Sequence, residues 1–144
     1  MFTRTAVVAA LCLLAANASS AGDRVFGISV DQAELAFMQG RHAEGAAYEL
    51  GRDRPVDQGR AAEAYRRAAV LGFPLAQHDL ARLYETGLGV PQSHVLAHVW
   101  YSLAASHGHE LATRQRDTIA EGMTRKQLAR AERIARMLST QLPR

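Results

Sequence analysis

The chain has 144 residues, 17 basic and 14 acidic side chains, a formal net charge of +3 and a single cysteine. Both signs of charge are interspersed until the C-terminal third, so nucleic acid is not an implied partner. One cysteine also excludes an internal disulfide framework and a multi-cysteine metal site.

The opening stretch MFTRTAVVAALCLLAANASSAGD has one early charge, Arg4, then an uncharged apolar run from Ala6 to Ala16, then small residues. That is the layout of a secretory signal peptide. The run is shorter than the roughly 20 residues needed to cross a bilayer. Ser19 and Ala21 suit cleavage before Gly22, with cleavage after Ala18 the close competitor. Loss of residues 1–21 leaves 123 residues, with 16 of the 17 basic and all 14 acidic side chains, a net +2. Cys12 leaves with the segment, and Leu11 before it lacks the small residue that lipid attachment requires. The expectation is a periplasmic or secreted protein: one domain, residues 22–144, monomeric, with no transmembrane segment in the mature chain.

Within that domain, a shift of 36 residues superimposes Tyr48 on Tyr84, Gly51 on Gly87, Tyr65 on Tyr101 and Gly72 on Gly108, with 11 identities over the 29 positions from 48 to 76. A period of this size means stacked helical hairpins. In chain order, Asp31 with Glu34 reads as a capping box ahead of a short helix that closes the N-terminal end. A first repeat covers about 40–75, in which Asp57 N-caps the second helix. The next covers about 76–111. There Ala76, Leu80, Leu83 and Tyr84 form one stripe, Gly87 and Gly89 turn the chain, and Pro91 keeps Val90 out of the helical conformation. Ser93 caps a second helix bearing Leu96, Ala97, Trp100, Tyr101 and Ala104, which Gly108 terminates. A degenerate third unit covers 112–142, and its last helix, capped by Thr124 with Gln127, turns Leu128, Ala131, Ile134 and Leu138 inward. Arg125, Lys126, Arg130, Arg133 and Arg136 cover much of the remainder. That composition suits either the polar outer face of a terminal repeat or an approach to anionic lipid or polysaccharide.

The stretch LYETGLGVPQSHVLAHVWYSLAASHGHELA closely resembles the Sel1-like repeat family, a branch of the tetratricopeptide-like α-solenoids. One clear copy covers 76–112 and a weaker one covers 40–76, where the glycine turn becomes GRDRPVDQG. The resemblance implies an all-α, right-handed α/α solenoid of about three hairpins. It also implies an adaptor that holds other proteins, of the kind found in secretion, envelope and signalling contexts.

Catalytic patterns are weak. His94 and His98 share a helix face, with His107, His109 and Glu110 near its end, but zinc helices add a glutamate beside the first histidine and a remote third ligand. Solvent-facing histidines are the simpler reading, and neither metal nor cofactor is expected. Some secreted cysteine-rich members of the resembled family are linked to penicillin binding. The serine–lysine motif of such enzymes is missing, however, because Lys126 has Met123 three residues before it. Asp53 and Asp57 read as turn and cap. The expected function is a non-enzymatic protein–protein adaptor of the bacterial cell envelope, with an unidentified protein partner. The alternative is a periplasmic binder or modifier of cell-wall or polysaccharide fragments, including β-lactamase-like activity. The candidate partner face lies on the first helices: His42, Ala46 and Glu49, then His78, Arg82 and Glu85, then Arg114, Thr118 and Glu121. These share a face that the core residues leave vacant.

Overall fold

A computed structural model describes residues 24–25 and 28–142, with side chains from residue 35 onward. The predicted signal segment and Cys12 lie outside the described residues. The chain divides into two units, 1–37 and 38–144. In the first, β1 (Arg24–Val25) pairs antiparallel with β2 (Ile28–Ser29), Arg24 opposite Ser29. Six helices follow: α1 Val30–Leu50, α2 Gln58–Ala69, α3 Pro74–Thr86, α4 His94–Ser106, α5 Glu110–Glu121 and α6 Arg125–Gln141. The fold is an all-α helical repeat.

The helix boundaries follow local chemistry. Asp57 accepts from Arg60 N and Ser93 from Leu96 N, so equivalent residues one period apart cap α2 and α4. Pro74 opens α3, where its missing N–H is no loss. Thr124 and Gln127 make the full capping box of α6. The N-terminal expectation is corrected: α1 is one 21-residue helix running through Gly40, and Asp31 is its second residue, not the cap of a separate short helix. Interior glycine costs only about 1 kcal/mol, which the packing of residues 38–50 outweighs.

In the second unit, α4 lies against α3, α5 and α6, and α3 against α2. The core is mostly alanine with a few large side chains: Ala61, Ala68, Ala76, Ala97 and Ala104 are fully buried beside Tyr65, Leu80, Leu83 and Tyr101. Alanine at the crossing points lets helices approach closely, and the aromatics fill the spaces between them. Trp100 is buried among them.

Both turn glycines have the expected left-handed backbone, φ 75° at Gly87 and φ 72° at Gly89. Gly89 is the more constrained, because a Cβ there would lie 2.1 Å from the Gln58 carbonyl oxygen at the start of α2. Gly108 also has positive φ, at 86°, but open space around its Cβ position. Gly108→Ala is therefore expected to cost about 1 kcal/mol of conformational strain, and Gly89→Ala about 2–5 kcal/mol once the backbone clash is added. Equal losses in urea unfolding would overturn this account of the turn. Trp100→Ala should cost about 3–5 kcal/mol, and an unchanged melt would mean that the indole is not a core element.

Candidate functional site

The first-helix face carries a polar network that repeats with the 36-residue period. The Tyr65 hydroxyl donates to Glu49 Oε2 and the Tyr101 hydroxyl to Glu85 Oε2, both at 2.7 Å. Each bond ties the second helix of a pair to its first. Burial, and next the glutamate, push both phenols well above their usual range. Both tyrosines therefore act as permanent donors.

A second set of bonds joins successive layers. His42 Nε2 lies 2.8 Å from Asp79 Oδ2, and His78 Nε2 lies 2.6 Å from Gln115 Oε1, the same contact one period on. His42 packs its ring on Tyr65 and Phe73, while His78 packs on Tyr101 and stacks on His109 at 4.6 Å. Arg82 binds Glu49 across the layers and comes within 3.9 Å of Asp79. Burial opposes ionisation of Asp79, but hydrogen bonds from His42 and His78 outweigh it and hold the carboxyl well below the usual carboxylate range.

Five of the nine named face residues thus lie inside the stack's own network: His42, Glu49, His78, Arg82 and Glu85. Ala46 is half-buried beside them. The third row differs, since Arg114, Thr118 and Glu121 are all exposed. There Thr118 donates only to the backbone oxygen of Arg114, one turn back. Thr118 stands one period after Arg82, so Glu85 has no arginine from the next layer. Sequence reasoning missed Asp79 and Gln115, the partners of the two histidines. It also missed two repeat-equivalent leucines at the start of the same stripes, Leu75 and Leu111, which are 46% and 48% exposed.

The histidines of the weighed metal pattern take separate roles. His94 is exposed, but His98 is only 5% exposed, correcting its solvent-facing assignment. The cause is the flanking of α4 by α3, α5 and α6. His107 Nδ1 donates to Gln77 Oε1 at 2.9 Å, and the fully buried Gln77 donates in turn to Ala69 O. His109 Nδ1 accepts from Ala112 N at 3.2 Å and is the N-cap of α5. At the other end of the unit, the GRDRPVDQG turn forms an open groove around Tyr48, whose ring carries the Arg54 guanidinium at 4.4 Å.

His109 gives the stack an acid-sensitive joint. Burial, and next the neighbouring His78, lower its pKa from 6.5, and a protonated ring could no longer accept the Ala112 N–H. Burial, then Arg116, lowers His98 in the same direction. A base whose folded pKa is depressed contributes stability that is fully present above its unfolded pKa and is lost as pH falls below it. Unfolding stability should therefore fall from about pH 6.5 downward, and Asp79 should add a further loss below about pH 4. Loss of the cap is worth about 1 kcal/mol, or roughly 4 °C in Tm. His109→Asn keeps an acceptor at every pH, so the drop in Tm between about pH 7.5 and 5.5 should shrink in that variant. An unchanged drop would remove His109 from the account.

Known proteins place this architecture. The Sel1 repeat family matches residues 32–73 and 74–109. No curated protein shows significant similarity. Among solved structures, one similar chain is a protective antigen present in uropathogenic Escherichia coli strains and displaying an SLR fold. It is 30% identical with a TM-score of 0.69, and the match covers 74% of this chain and 23% of that one. Another is a Sel1 repeat protein from Oxalobacter formigenes, 40% identical with a TM-score of 0.55 over 56% of this chain and 61% of that one. The chain thus spans less than two thirds of the length of either. With two family repeats in register over more than half of its residues, the chain belongs to the Sel1 repeat family.

Proposed function

We infer that this chain, like Sel1 repeats generally, serves as a scaffold for protein interactions. We propose that this chain is a non-enzymatic adaptor of the bacterial cell envelope, exported by residues 1–21 and monomeric, which holds a protein partner on its first-helix face. The observation that carries this reading is the exposed register shared by Leu75 and Leu111. Two leucines one period apart, with the exposed Arg114, Thr118 and Glu121 following Leu111 on its helix, offer apolar anchors beside exposed polar groups, the mixture that protein interfaces use. A sugar ligand is less well served, because Tyr65, Trp100 and Tyr101 are buried and present no stacking faces.

The test must spare His78 and Arg82, whose removal would loosen the layers. A photocrosslinking residue placed at Leu111 or Thr118 should capture one discrete protein in native cells, and a residue at Thr140 on α6 should not. Leu75→Asp with Leu111→Asp should abolish capture while unfolding stability changes by no more than about 0.5 kcal/mol, as expected for exposed positions. Capture that survives the double substitution would move the site elsewhere. Mass spectrometry of the exported protein should find its N-terminus at Gly22 or Ser19.

A further inference from the structure

The cations of the repeats and of α6 differ in their pairing. Within the repeats, six of the nine arginines from Arg41 to Arg116 have a carboxylate partner, namely Arg41, Arg60, Arg66, Arg67, Arg82 and Arg116, while Arg52, Arg54 and Arg114 stand exposed without one among the described residues. On α6, Arg125, Lys126, Arg130, Arg133 and Arg136 are all exposed, and none pairs with a carboxylate among the described residues. Glu132 is the only acid on the helix, so α6 carries a net +4 where the whole chain carries +3. The rest of the molecule is close to neutral.

The direction of these charges is fixed by packing. Ala131 is fully buried, and Ile134, Ala135 and Leu138 pack against the same core, which leaves the opposite side of α6 outward. At about 100° per residue, Arg125 and Arg136 fall along one flank of that outward side and Lys126, Arg130 and Arg133 along the other. Exposed Ala129, Met137 and Thr140 lie between or beside them. Solubility alone would be served by both signs interspersed, as in the Glu63, Arg66 and Arg67 set of α2. Lys126, Arg130, Arg133 and Arg136 follow one another at spacings of four and three and repel, and a negative neighbour relieves that repulsion.

We propose that α6 is an electrostatic adsorption surface for a bilayer rich in anionic phospholipid. Two flanking rows suit a plane of phosphates: flexible arginine and lysine side chains on both sides of a helix about 25 Å long can reach one flat surface together. A single acidic strand would engage one row and leave the other unneutralised. Four of the five cations are arginines, which bind phosphate oxygens in pairs. The apolar stripe is committed to the core, so binding is peripheral and salt-sensitive, without insertion.

The test is partition of the full chain onto vesicles, read as the ratio between vesicles holding about 30% phosphatidylglycerol and pure phosphatidylcholine vesicles. That ratio cancels any affinity of the apolar run from Ala6 to Ala16 for lipid as such. The wild-type ratio should be large at about 100 mM salt and collapse near 500 mM. Each cation removed should lower it roughly fivefold, so Lys126→Gln, Arg130→Gln and Arg133→Gln together should lower it about a hundredfold. Arg52→Gln, Arg54→Gln and Arg67→Gln remove the same charge elsewhere and should leave most of the preference. All six side chains are exposed, and circular dichroism melts confirm that both triple variants fold. A wild-type ratio near one, or equal losses in the two triples, overturns the proposal. So does α6-dependent binding of a polyglutamate peptide with no vesicle preference, which would make the occupant an acidic protein.

Discussion

Two tyrosine hydroxyls buried at the same register, one period apart, must each find an acceptor, and a glutamate of the preceding helix supplies it. Much of the stack follows from that requirement. The ring of Tyr65 reaches Glu49 by passing directly over α1 at Gly45, where a Cβ would lie 2.6 Å from the ring. The equivalent of Gly45 in the next repeat is Ala81, which is fully buried. The two repeats thus share the bond although a glycine stands at this register in one and an alanine in the other.

The bonds between layers weaken along the chain. The first step uses His42 with the carboxylate of Asp79 and Glu49 with Arg82, two contacts involving charge. In the second step the histidine meets the amide of Gln115, and a threonine stands where the arginine was. Charge-assisted bonds are roughly twice as strong as neutral ones, so the first interface is held more tightly by polar contacts than the second. The same substitution leaves the third row free. A first-helix position serves either the next layer or the solvent, and only where the network thins do polar side chains become available to another molecule.

Local features were legible in the sequence. The caps at Asp57, Ser93 and Thr124, the turn at Gly87 and Gly89 and the period itself depend on residues close together in the chain, and each took its expected place. The continuous α1 was hidden because Gly40 and the Asp31 box gave stop and start signals that tertiary packing overrode. The face residues were assigned to the right helices, but their pairing was not foreseen. His42 with Asp79 and His78 with Gln115 span 37 residues, and such contacts are fixed by how layers stack rather than by helical spacing. The identity of His42 with His78 was visible one period apart, just outside the stretch from 48 to 76 whose identities set the repeat. His98 misled for a related reason: its burial comes from the packing of α3, α5 and α6 around α4, which no pattern within α4 announces.

The α6 helix shows how far a terminal element departs from the repeats it closes. Inside the stack most arginines stand beside a carboxylate, and Glu63 engages two of them. On α6 the pairs Lys126 with Arg130, Arg130 with Arg133 and Arg133 with Arg136 place like charges three and four residues apart, each destabilising by about 0.2–0.5 kcal/mol. An alternating set of lysines and glutamates would solvate the end of the stack equally well and would reverse the sign of those terms. The penalty is tolerable because the capping box at Thr124 and the buried stripe through Ala131 hold the helix independently of its surface. Because the cationic side chains of α6 are not what hold the helix in place, their composition is free to answer to whatever lies outside the molecule.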